Sequence, residues 1–131
     1  MSVARFAKVA GQVAAAAQRV VDAWEQDEDG VSDKYGSGGV CDDVAAATCD
    51  ALRGLSWVRD CVTFHIEDDN HTVARVLADD GVYDVDVSAN VYETGAWYVY
   101  RKRPEATVSA EDVVVERLGG PGEWEKWTEG G

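Results

Sequence analysis

An α+β fold, two N-terminal helices packed on an antiparallel sheet of about five strands, is what this chain predicts. Three observations carry that expectation. Apolar residues recur at spacings of three and four along the first stretch. A second, alanine-rich stretch between glycines does the same, and from Ser56 onward the period shortens to a strand-like alternation. With 131 residues, 46% of them apolar, the chain reads as one globular domain over 1–118, followed by a Trp-containing acidic tail at 119–131.

Residues 2–26 read as the first helix. Val3, Phe6, Ala10, Val13, Ala17, Val20 and Trp24 form one apolar stripe, with Arg5, Lys8, Gln12, Gln18, Arg19, Asp22 and Glu25 mostly off it. Such a stripe serves a core, or alternatively the seam of a homodimer, since the spacing holds for about three heptads. Residues 27–40 are a loop by composition, acidic and then glycine-rich. The acids at Asp27, Asp29 and Asp33 do not follow EF-hand spacing. Gly36, Gly38 and Gly39 lack the Lys-Ser/Thr of a phosphate loop.

The second helix runs from Cys41 to Arg53 and stops at Gly54. Cys41, Val44, Ala45, Thr48 and Leu52 share a face, while Cys49 reads as a small buried hydrophobe on another. A cysteine on the first turn meets unpaired backbone N–H groups and the positive end of the helix dipole, which favour a thiolate. Asp42 and Asp43 oppose that effect.

Strands are expected over 57–66, 71–78, 82–88, 96–102 and 113–118. Asp80-Gly81 is the expected two-residue hairpin turn, which places Leu77 opposite Asp84 and Arg75 opposite Asp86. In that register His71, Val73, Arg75, Leu77, Asp84 and Asp86 all lie on one face, so a carboxylate can orient the histidine. The alternative for Asp86 is a cross-strand salt bridge to Arg75. Ser109 to Asp112 reads as a capped turn. In the tail, Trp124 and Trp127 are expected to dock on the domain.

Gly38-Gly39-Val40-Cys41 opening a helix, then His71 starting a strand, then Asp79-Asp80-Gly81 and Val82-Tyr83-Asp84-Val85-Asp86-Val87, resembles the transglutaminase-like and papain-like cysteine hydrolase superfamily over residues 36–88. That resemblance implies a papain-like core, with Cys41 as nucleophile, His71 as general base and Asp86 as the orienting carboxylate. It implies hydrolysis or acyl transfer at an amide or thioester bond of a peptide or protein substrate. Val73 stands where transglutaminase-like sequences often carry a tryptophan. His65 and Asp84 are the alternative catalytic residues.

Charge bounds the partners. The net charge of -13, with only four lysines, repels nucleic acid and anionic membrane. It suits a high-salt habitat, or a non-enzymatic acidic binding protein that occupies a basic groove of a partner. In that second role Asp68, Asp69, Asp79, Asp80, Trp97 and Tyr100 would make the contact. The cysteines Cys41, Cys49 and Cys61 are odd in number and lack a CxxC pair, which argues against a disulfide framework and a zinc site. No cofactor motif is read. No apolar run reaches the roughly 18 residues of a membrane span, and the N-terminal segment is amphipathic, so a cytoplasmic protein is expected.

Overall fold

The computed structural model describes residues 2–24, 40–68, 71–96 and 99–129. The fold is α+β, with four α-helices and a four-stranded antiparallel sheet. Helices α1 (Ser2–Ala7), α2 (Ala10–Ala23) and α3 (Cys41–Arg53) precede strands β1 (Val58–Ile66), β2 (His71–Ala78) and β3 (Gly81–Val87). Strands β4 (Glu93–Ala96) and β5 (Val99–Lys102) pair with each other in a separate two-stranded sheet. Then β6 (Val113–Gly119) returns beside β3, giving the order β1-β2-β3-β6, and α4 (Trp124–Thr128) follows.

This corrects the helical layer, because three helices, not two, precede the sheet and a fourth follows it. The expected single helix breaks at Lys8-Val9, through Lys8 N–H to Arg5 O and Val9 N–H to Phe6 O bonds. Tertiary anchors account for the break. Phe6 is buried edge-on against Trp57 and tilted on Tyr83, each with centroids 4.9 Å apart. Arg5 reaches Asp79 at 2.7 Å and lies over Trp57. Those contacts fix α1 on the β2–β3 hairpin while α2 packs along α3. Of the apolar stripe, Phe6, Ala10, Val13, Ala17 and Trp24 are buried and Val20 is half-buried, while Val3 is exposed; Val21, outside the stripe, is buried as well. Gln18, on the polar side, ties α2 to the strand connection by donating to Ala106 O and accepting from Val108 N–H.

The helices cover the sheet face made by Ala74, Val76, Ala78, Tyr83, Val85 and Val87. The opposite face carries Val73, Arg75, Val82, Asp84 and Asp86, by the strict alternation of β2 and β3. Here the C-terminal tail docks: Arg75 donates to Trp127 O at 2.6 Å and lies 5.8 Å from its ring.

The expected hairpin register is off by two residues. Ala78 pairs with Gly81, Leu77 with Val82 and Arg75 with Asp84, so Asp79-Asp80 forms the turn. Gly81 belongs to β3, where a Cβ would sit 2.8 Å from Gly119 O on β6. The glycine therefore answers to strand β6 and not to the turn. A two-residue shift preserves which face each side chain points to, so His71, Asp84 and Asp86 still share one.

The sequence gives no sign that Cys49 and Cys61 meet. Cys49 is buried as expected, but on the same face of α3 as Cys41, and its sulfur lies 2.6 Å from that of Cys61 on β1. No described helix is long and apolar enough to cross a membrane.

Candidate active site

Helix α3 brings Cys41 to the site because its buried face, Cys41, Val44, Ala45, Thr48, Cys49 and Leu52, packs on β1 and β2. The helix begins after Val40, and no side chain caps it among the described residues, so the positive end of the dipole falls at the thiol. Cys41 is 7% exposed. His71 is the first residue of β2, at the end of the sheet.

Two bonds meet on the imidazole. Its Nε2 lies 2.7 Å from Asp86 Oδ1, and the ring also hydrogen-bonds the Cys41 side chain. With Nε2 engaged by the carboxylate, Nδ1 is the nitrogen left for the sulfur. The Asp86 contact follows from register: Asp86 is the diagonal cross-strand neighbour of His71, within reach of a ring. Together, the hydrogen bond to Asp86 first and that to Cys41 second push the His71 pKa up to about 10 against the opposing effect of burial. The imidazole is thus a cation at neutral pH.

Asp42, the next residue of α3, reaches strand β2. Its carboxylate accepts a short hydrogen bond from Thr72 Oγ1 on the helix-covered face of β2. Thr72 Oγ1 also lies 3.1 Å from Nδ1 of His65. The alternative base His65 is therefore joined to Thr72 and Asp42. The alternative carboxylate Asp84 is held by Arg75 through Nε at 2.7 Å and Nη2 at 2.9 Å. The predicted Arg75–Asp86 salt bridge does not form; Arg75 takes Asp84, and Asp86 goes to His71. The structure brings together Cys41, His71 and Asp86 and leaves His65 and Asp84 outside that set.

Two residues that the sequence offered no signal for complete the surroundings. Tyr92 is fully buried; burial raises its pKa, and the charges of Cys41, Glu93, Asp86 and Asp42 add to the effect. Its hydroxyl has no hydrogen-bond partner among the described residues. Glu93 is 8% exposed, and its Oε2 likewise lacks a partner there. Burial pushes its pKa up to about 7, offset in part by the attraction of His71. Both lie in what reads from sequence as a plain connection.

The raised Glu93 pKa has a stability consequence. A carboxyl whose folded pKa lies above its ordinary 4.5 contributes stability that is fully present below pH 4.5 and is lost as pH rises through 7. Glu93→Gln is expected to match the parent near pH 4.5 and to exceed it by about 2–3 kcal/mol above pH 7. Denaturant titrations across that range check this, and a pH-independent difference between the two proteins would refute it.

A cavity of about 150 Å³ opens on the His71–Asp86 pair, walled by Ile66, Val73, Val114, Asp84 and Glu116. That volume suits one side-chain-sized group. Among the described residues no cluster of histidine, cysteine and carboxylate side chains could hold a metal ion.

The residues of the acidic-surface reading are scattered. Asp68 is exposed, whereas Asp79 and Asp80 lie within 2.7 and 3.6 Å of Arg5. Asp80 also accepts from the Tyr83 hydroxyl. Asp69, Trp97 and the glycines 36, 38 and 39 lie outside the described residues, and Tyr100 is described only as backbone in β5. The chain matches no family model, no curated protein and no solved structure.

Proposed function

We propose that the protein is a cysteine-dependent hydrolase or acyl transferase acting on an amide or thioester bond, with papain-like or transglutaminase-like organisation. What supports this reading is the hydrogen-bonded run Cys41–His71–Asp86, in which one imidazole is shared between a thiol and a carboxylate. The order of parts, cysteine on a helix start, then histidine and aspartate on adjacent antiparallel strands, supports it further.

The chemistry follows from the arrangement. With its side chain hydrogen-bonded to the imidazole, Cys41 supplies the sulfur nucleophile. Attack on a carbonyl carbon forms a tetrahedral intermediate whose oxyanion can meet backbone N–H groups at the start of α3. His71 then delivers its proton to the departing amine or thiol, leaving an acyl thioester on Cys41. Water or an acceptor amine, deprotonated by His71, attacks that thioester and frees the sulfur. Asp86 holds the ring in one orientation and stabilises its positive charge.

An activated thioester or aryl ester is the probe. The protein is expected to gain one acyl group, mapped by mass spectrometry to Cys41. Cys41→Ala is expected to gain none, and His71→Ala to acylate at least ~10²-fold more slowly. Equal acylation of Cys41→Ala and the parent would remove the basis for this reading.

A further inference from the structure

The mechanism above uses Cys41 and leaves the other two cysteines without a task. They are not independent. Cys49, on the buried face of α3, and Cys61, on β1, are 1% and 0% exposed, and their sulfur atoms lie 2.6 Å apart. The two are free thiols joined by a hydrogen bond, placed so that a bond of ~2.05 Å needs only a small approach. We propose that Cys49 and Cys61 form an exchangeable disulfide, closed by a small-molecule disulfide that reaches Cys49 through the cavity beside it.

Cys61 cannot be approached directly, whereas Cys49 forms part of the wall of a cavity of about 280 Å³ between α3 and β1. Ala46, Asp50, Arg53, Val62 and Thr63 make up the rest of that wall. The two sulfurs are chemically distinct. The hydrogen bond from Cys61 favours the thiolate of Cys49, and Arg53 adds to this effect, against burial and the charges of Asp50 and Asp60. The same bond and burial hold the proton on Cys61. Arg53 is anchored at this spot, donating to Cys61 O at 2.8 Å.

Cys49 is therefore the entering nucleophile. Its thiolate attacks one sulfur of the incoming disulfide, forming a mixed disulfide and releasing one small thiolate. Cys61 then attacks the Cys49 sulfur and releases the second, its own proton passing to the departing sulfur. Two protein thiols are oxidised, and one small disulfide is reduced to two thiols. Cys41 cannot substitute in this pairing. It lies eight residues up the same helix from Cys49, roughly 12 Å at 1.5 Å per residue. The closed bond would tie α3, which presents Cys41, to β1.

The test folds the protein in a buffer containing a small thiol and its disulfide, then denatures and alkylates it without reductant. One labelled cysteine, Cys41, with a mass lower by two hydrogen atoms before labelling, is the expected result. Reduction first should restore labelling at all of Cys41, Cys49 and Cys61. Cys61→Ser lacks the thiol that resolves the mixed disulfide, so its Cys49 should carry the added mass of one small thiol and label only after reduction. Three labelled cysteines in the unreduced parent, or protection of Cys41 with label on Cys49 or Cys61, overturns the proposal. Neither outcome depends on acyl chemistry at Cys41, so this bond and the proposed activity stand or fall separately.

Discussion

Asp86→Ala is expected to slow acylation of Cys41 by roughly 10²–10⁴-fold while leaving the sheet intact. The carboxylate hydrogen-bonds the imidazole, so its loss acts through the orientation and charge of His71. Asp86 is also the largest cause of the raised His71 pKa. Without it the pKa should fall from about 10 toward the ordinary 6.5. Asp86→Asn keeps an acceptor for Nε2 but not the charge; it should lower the pKa too, with a smaller loss of rate. Following the His71 ring signals by NMR against pH separates this positioning role from a structural one. An unchanged His71 titration in Asp86→Ala, with unchanged acylation, would falsify the assignment.

The same pair predicts the pH dependence of stability. The His71 pKa is raised above its unfolded value, so the stability it contributes is fully present below about pH 6.5 and is lost as pH rises through about 10. The stability gap between the parent and Asp86→Ala should accordingly be widest at or below pH 6.5 and narrow toward pH 10. The side chains are only 17% and 28% exposed, so solvent screening leaves much of the effect in place.

Arg75→Ala should produce the largest loss of stability, about 3–5 kcal/mol. Its guanidinium makes two bonds to Asp84, with side chains 7% and 12% exposed. It also lies 3.8 Å over the Phe64 ring and donates to Trp127 O. Removing it leaves Asp84 buried without its cation and releases the tail from the sheet. Asp84→Ala strands the opposite charge and should cost a similar amount. Replacing both by apolar residues of similar volume should recover most of the loss, because the desolvation cost of both ions then disappears. Chemical denaturation of the three variants tests this; additive losses in the double variant would contradict it.

Much of the fold was legible in the residues themselves. Helix α3 runs from Cys41 to Arg53 as its stripe and closing glycine indicate. The strands of the main sheet fall within a residue or so of their expected ranges, although β2 and β3 are buried on both faces rather than one. The expected fourth strand differs: residues 96–102 divide between β4 and β5, a hairpin outside the main sheet. Composition could not place that hairpin, since strand pairing depends on residues far apart in the chain.

Local periodicity alone determined that Cys41 begins a helix and that His71, Asp84 and Asp86 share a sheet face. Parity of this kind survives a register error of two, which is why His71, Asp84 and Asp86 share a face in the observed hairpin as in the expected one. Only the tertiary structure decided which aspartate serves the histidine. The close approach of Gly119 puts Gly81 into β3, shifts the pairing, gives Asp84 to Arg75 and so leaves Asp86 for His71. The meeting of Cys49 with Cys61 and the burial of Tyr92 and Glu93 belong to the same class. Each depends on contacts between separate elements, and the physical reason is that burial and charge pairing are properties of packing, which no local pattern encodes.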